Sequence, residues 1–297
     1  MRYARLILLS ALVFLLATPA MAALNVVASS SSGGALVREI AGSQAHLTIL
    51  APPDRDLHHL QARPSMIRAL RGADLVVALG AELEIGWLPL AINQAANPGI
   101  QPGRTGYFEA ATQVSLLDAG GPADRALGDV HPTGNPHINM DPVRMAKVAQ
   151  ALAERLALLD NAHAAEYRAR ADAFAQRVAA RVTNWRQRLG NPVGVVSFHK
   201  DITYLLDRFN VPYWGTLEPV PGVPPTAAHI RSLIDDLQGK SGLVLYTTYQ
   251  PAQAPTALAD ALGWKQVRLP LEPPLDADGD DYLAHMQRWI DALAAGG

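Results

Sequence analysis

The stretch "NAHAAEYRARADAFAQRVAARVTNWRQRLG", Asn161 to Gly190, decides the fold. No proline or glycine interrupts it before Gly190. Its apolar residues Ala164, Tyr167, Ala171, Phe174, Val178, Val182 and Trp185 recur at spacings of three and four. That spacing predicts one helix with a single buried face. About thirty helical residues span roughly 45 Å at about 1.5 Å per residue. One compact lobe needs less, so the stretch suits a strut running across two lobes. Just before it, "DPVRMAKVAQALAERLALLD" opens a helix, with Asp141 as N-cap and Pro142 in the first helical position.

Both flanks alternate between strand and helix patterns. Upstream, "LNVVASS" (Leu24 to Ser30) reads as a strand, Gly33 to Ala41 as a helix and "HLTIL" (His46 to Leu50) as a strand. Pro52, Pro53 and Pro64 break the chain, and Ser65 then caps the helix "SMIRALRGA". "DLVVALG" (Asp74 to Gly80) is an apolar run bounded by turn residues, as in a buried parallel strand. Downstream, "VGVVSFH", "VPYWGT", "GLVLYT" and "KQVRLPL" read as strands between helical segments, one of them capped by Thr226. "DDYLAHMQRWIDALAA" closes the chain as an amphipathic helix. The alternation predicts α/β architecture with parallel sheets. The expected organisation is an N-terminal α/β lobe over 23–160, a linking helix over 161–190 and a C-terminal α/β lobe over 191–297.

Composition narrows the function. At 297 residues, with 49% hydrophobic content, the chain can bury a large core. A net charge of -2 gives no electrostatic case for nucleic acid. The absence of cysteine removes disulfides, thiolate metal sites, Cys nucleophiles and a lipid-anchor cysteine together. "MRYARLILLSALVFLLATPAMAA" has Arg2 and Arg5, an apolar run from Leu6 to Ala17, and Ala20 to Ala22 as an A-x-A site. This is the pattern of a secretory signal peptide over residues 1–22, cleaved after Ala22. The expected location is the periplasm.

Three histidines share one context. His58 follows the second strand, His137 precedes a helix start, and His199 ends a strand. Ligands of open parallel sheets sit beyond the carboxyl ends of the strands. Histidines from both halves of the chain can therefore meet in a cleft between lobes. Neutral imidazole is the commonest metal ligand, and three of them plus one oxygen make a four-coordinate zinc shell.

Three segments then carry a resemblance. "DLHHLQARPSMIRALRGADLVVALGAELE", "GNPHINMDP" and "VVSFHKDITYLLDRFNV" stand in that order, with the long helix between the second and third, and "LEPVPGVPPTAAHI" follows. The chain resembles the periplasmic solute-binding proteins of zinc and manganese ABC importers, over almost its whole length after residue 22. The resemblance implies a metal site in the interlobe cleft with His58, His137 and His199 as ligands. It implies Zn2+ as the captured ion, a membrane permease as partner, limited hinge motion and no enzymatic activity. A zinc metallochaperone is a second candidate partner, and a monomer is expected.

The chain also departs from the family. The carboxylate ligand near the last strand falls at Pro270, the Glu that some zinc members carry before the first histidine is Leu57, and an acidic strand end is Thr247. The fourth ligand is therefore open among Glu272, Asp276, Asp278, Asp280, Asp281, His59, His131 or water. The run "DADGDD" also fits a solvated turn and helix cap, and His131 fits surface or metal capture better than direct ligation. Loss of the usual carboxylates favours zinc over manganese, since hard oxygen donors suit manganese. Manganese or another divalent ion is the alternative cargo. A zinc hydrolase is the rival class, with Glu218 and Asp201 as nearest bases, but no H-E-x-x-H or G-x-S-x-G is present. Glu218, before Pro219, reads instead as a structural hydrogen-bonding residue. A surface adhesin of the same fold is a third reading, disfavoured by the missing lipidation cysteine.

Overall fold

The computed structural model describes residues 23–121 and 128–296. The leader read at residues 1–22 lies outside them. Two four-stranded sheets, parallel throughout, form the frame. The first has the order β2 (Ala45–Ile49), β1 (Leu24–Ala28), β3 (Leu75–Ala78), β4 (Tyr107–Glu109). The second has the order β6 (Tyr213–Thr216), β5 (Gly194–Ser197), β7 (Gly242–Thr247), β8 (Lys265–Leu269). Both sheets thus repeat one strand order. β3, β5 and β7 are buried along their whole length, as strands covered by helices on both faces must be.

The long helix is α5 (Ala164–Leu189), whose 26 residues span about 39 Å. It starts three residues later than the sequence suggests, because Asn161–His163 form a 3-10 turn. Asp160, which closes α4 (Pro142–Leu159), accepts from the Tyr167 hydroxyl at 2.6 Å and so fixes the elbow between the two helices. α5 is more than a strut. It packs on α4, on α1 (Ser31–Ala41) and on α9 (Gly279–Ala294), and Trp185 Nε1 donates to Gln287 Oε1 of α9 at 2.6 Å. Its buried face is the predicted one, from Ala164 to Trp185.

One core joins both sheets through these four helices, including Val77, Phe174, Trp185, Leu245 and Trp289. Smaller cores lie on the outer face of each sheet, around Trp87 and Ile92 and around Phe198 and Leu258. A core continuous across both lobes resists free hinge motion.

Two local details differ from the sequence reading. α2 (Pro64–Arg71) begins with Pro64, and Arg63 takes the N-cap place without a side-chain bond. Proline's fixed φ suits the first helical position and moves the start ahead of Ser65. α3 (Leu88–Ala95) and the three-residue β4 fill a region where the sequence shows no clear period. α6 (Thr203–Arg208), α7 (Ala227–Leu237) and α8 (Gln253–Leu262) complete the second lobe, and Thr226 caps α7 as expected.

Candidate metal centre

His58 sits on a single 3-10 turn, Leu57–His59, just after β2. Asp56 Oδ1 accepts from the His58 backbone N–H at 2.9 Å and lies 2.7 Å from His58 Nδ1. Trp87 Nε1 anchors the turn by donating to the Leu57 carbonyl at 2.8 Å. A carboxylate on Nδ1 selects the tautomer whose Nε2 lone pair faces outward. Burial alone would raise the Asp56 pKa, but the hydrogen bond to and charge of His58 bring it down to about 2.

His199 follows β5 and repeats the device. Its Nδ1 lies 2.7 Å from Glu218 Oε2, which also accepts from the Gly222 N–H at 2.9 Å. Burial pulls the His199 pKa down, but the Glu218 hydrogen bond and the charge of Asp201 outweigh it and hold it above the usual value. Asp201 is buried, takes a 2.9 Å bond from Gln250 Nε2, and is pushed up to about 7 by that burial.

His137 is 3% exposed. Asn135 Oδ1 accepts from its backbone N–H at 2.9 Å, while Asn135 Nδ2 donates to the Lys200 carbonyl at 2.9 Å. The Tyr204 hydroxyl donates to the Asn135 carbonyl at 2.6 Å. The loop from the first half is thereby tied to the start of the second lobe. His137 Nε2 is buried without a protein hydrogen-bond partner. Burial, then the neighbouring imidazoles, drive its pKa well below the usual histidine value.

The three rings meet. Ring centroids are 5.3 Å apart for His58 and His137 and 5.4 Å for the other two pairs. One ligand atom from each lies within 4.8 Å of the others. A buried nitrogen without a partner is costly in a folded protein and is expected where a ligand supplies the missing bond. All three donors are imidazole nitrogens, and the Asp56 and Glu218 carboxylates orient two of the rings.

The other sequence candidates divide. Glu272 is buried against the N-terminus of α1. Its oxygens accept from the Ser32 N–H (2.7 Å), the Ser31 and Ser32 hydroxyls (3.2 and 3.1 Å) and Asn139 Nδ2 (2.9 Å). Burial raises its pKa, and these donors partly offset that. It joins the second lobe to the first as a structural anchor. Asp278 and Asp281 form the capping box of α9, Asp280 pairs with Arg177 at 3.0 Å, and Asp276 is exposed. The acidic run is a solvated turn and cap. His59 stands at the cleft mouth, its Nε2 3.5 Å from Asp129 Oδ2 and 4.0 Å from Asp56 Oδ2, its side chain 64% exposed. His131, read as a surface or metal-capturing residue, brings Nε2 to 3.1 Å from His58 Nε2. Sequence reading missed Asp56 as the partner of His58; a carboxylate two residues before a ligand histidine was the available signal.

Comparisons with known proteins give the family and the fold. The family model described as "Zinc-uptake complex component A periplasmic" matches residues 26–296. The metal ABC transporter substrate-binding lipoprotein ScbA of Streptococcus cristatus is 22% identical, covering 92% of this chain and 88% of its own length. The manganese complex of FpvC from Pseudomonas aeruginosa has a TM-score of 0.78 at 22% identity, covering 92% of this chain and 98% of that one. A zinc-bound ZnuA deletion mutant has a TM-score of 0.75 at 22% identity, covering 91% and 98%. Such identities carry the fold, while the family match spans nearly every described residue. The chain belongs to the ZnuA family of metal-binding solute-binding proteins of ABC importers.

Proposed function

We propose that this chain captures one Zn2+ in the periplasm on His58, His137 and His199 and delivers it to an ABC importer permease. The observation that carries the reading is the meeting of three imidazoles from both halves of the chain around the unpartnered His137 Nε2. Members of this family bind substrate for transporters and are not enzymes. An all-nitrogen donor set with outward lone pairs favours zinc, whereas manganese prefers hard oxygens. The two carboxylates closest to the rings act through Nδ1. FpvC was solved with manganese and with nickel, which makes manganese the alternative cargo to test. In competition on the metal-stripped chain, zinc is expected to displace manganese; manganese displacing zinc would overturn the choice of ion.

Proton competition gives a second test. His199 holds its proton above the usual histidine range, so an incoming ion must expel it. His137, with a depressed pKa, is already neutral and offers no such competition. Affinity is full above the raised His199 value and falls as pH drops through it. Zinc Kd is expected to weaken at least about tenfold between about pH 7.5 and about pH 5.5. A flat response over that range would contradict capture by imidazoles.

A further inference from the structure

We propose that the outer helical layer of the first lobe, α2 with α3, rests on an anionic phospholipid surface, with Arg63, Arg68 and Arg71 on the headgroups and Ile85, Pro89 and Leu90 set among them. The inference goes beyond the capture reading and does not depend on which ion is bound.

α2 and α3 lie side by side over the outer core of the first sheet, and Arg71 Nε donates to the Ala95 carbonyl at 3.4 Å where the two helices end. Their inner faces are buried, through Met66 and Leu70 on α2 and Leu88, Ala91, Ile92 and Ala95 on α3. The opposite faces are what the layer turns outward. On α2 that face carries exposed Arg68 and Arg71, with exposed Arg63 in the N-cap place, and the helix has no acidic residue. Among the described residues none of the three arginines pairs with a carboxylate. Asp74, just past α2, accepts instead from the Asn25 N–H at 2.8 Å. On α3 the outward residues are Pro89 and Leu90, the latter 54% exposed, and Ile85 in the turn before it is 45% exposed. No charged residue stands between Glu84 and Arg104. Large apolar side chains clustered at a surface mark an interaction site, and arginines beside them make the composition of a layer that lies at the headgroup level.

The second lobe supplies the contrast. Its sheet repeats the strand order of the first, and α7 with α8 covers a matching outer core. That layer carries exposed Asp235, Asp236 and Asp260 against the single arginine Arg231. Among its described residues no large apolar side chain is exposed. One architecture built twice thus turns a basic, apolar-tipped layer outward in one lobe and an acidic layer in the other. Packing on the sheet asks for neither, because the buried faces do that work in both. An anionic surface attracts the first layer and repels the second, which orients the molecule on it. The net charge of -2 does not oppose this, since charges on the far side are screened over a Debye length of about 8 Å at physiological salt. Guanidinium groups also fit phosphate oxygens in pairs, which suits a lipid headgroup.

The placement has a consequence for delivery. Arg63 also lines the cavity of about 800 Å³ at the cleft, together with His59 and Glu218. The basic patch therefore reaches the cleft rim, and a lobe lying on the bilayer holds that rim beside it. ScbA is a lipoprotein, whereas this chain has no cysteine to carry a lipid. A weak, reversible hold by a helical layer does the corresponding work here.

Vesicle flotation of the full chain tests this, with vesicles of phosphatidylethanolamine and phosphatidylglycerol beside vesicles of phosphatidylcholine alone. The wild type is expected to float with the anionic vesicles, to stay behind with the neutral ones, and to be released by high salt. Arg63→Glu/Arg68→Glu/Arg71→Glu should lower the partition at least about tenfold. Ile85→Ser/Leu90→Ser should lower it several-fold, and Arg231→Glu on α7 should leave it unchanged. Zinc uptake by each variant, at one ion per chain, shows that it is folded and keeps the outcome separate from the capture reading. A wild type that ignores anionic vesicles, or floats equally with neutral ones, would overturn the proposal. So would a triple arginine variant that floats like the wild type. Flotation that appears only when the vesicles contain the permease would assign the patch to a protein partner and overturn the lipid assignment.

Discussion

Asp141→Ala is expected to destabilise the metal-free chain by about 3–5 kcal/mol, the range for breaking a buried ion pair from one side. Asp141 is fully buried. Its Oδ1 caps α4, accepting from the Val143 and Arg144 N–H groups at 2.9 and 3.3 Å. Arg208, at the end of α6, grips both oxygens at 2.9 and 2.7 Å, and Arg144 Nη1 donates to Oδ2 at 2.5 Å. One carboxylate thus starts the helix of the first half and holds a helix of the second. Alanine removes the cap, a loss of about 1 kcal/mol by itself, and leaves two guanidinium groups without their partner. At about 2–4 °C per kcal/mol for a chain of this size class, the thermal midpoint should fall by roughly 6–20 °C. Urea unfolding would show it as a lower midpoint at unchanged slope. A loss under about 1 kcal/mol would mean that the desolvation of these charges nearly cancels their bonds.

His137→Ala should have the largest effect on binding. Zinc held by four protein ligands in small domains is bound with about 10–16 kcal/mol, or about 2.5–4 kcal/mol per ligand if shared evenly. Removing one ligand then weakens binding roughly 10²- to 10³-fold. His137 is the deepest of the three, and its Nε2 has no protein partner to lose. The variant should therefore lose metal with little cost to the metal-free fold. The check is a thermal scan with and without zinc. Ligand at about 100 times Kd stabilises the native state by about 2.7 kcal/mol, so zinc should raise the wild-type midpoint clearly. The variant should show almost no rise. An equal rise in both would remove His137 from the site.

Much of this was legible in the sequence because it is local. The α5 stripe from Ala164 to Trp185 is a period, Asp141-Pro142 and Thr226 are caps, and β3, β5 and β7 are apolar runs between turn residues. The three histidines could be placed because strand ends converge in parallel sheets. What the sequence hid depends on distant partners. Glu272 looks like a spare acidic ligand until Ser31 and Ser32, some 240 positions away, occupy its oxygens. Nothing local shows that His131 stands beside His58, because the carbonyl near its Nδ1 belongs to Ala81, 50 positions away. Glu218 was read as a hydrogen-bonding residue, and it is one, but nothing local shows that its partner is His199. Pro64 displaced Ser65 as the helix start because two rules for helix entry competed within two residues.

The central claim is that His58, His137 and His199 act together as one metal trap. Calorimetric zinc titration of the metal-stripped chain, beside the variant His58→Ala/His137→Ala/His199→Ala, tests it most directly. The wild type is predicted to take up one zinc per chain tightly and the triple variant none. A tight site that survives in the triple variant would place the metal elsewhere and contradict the account.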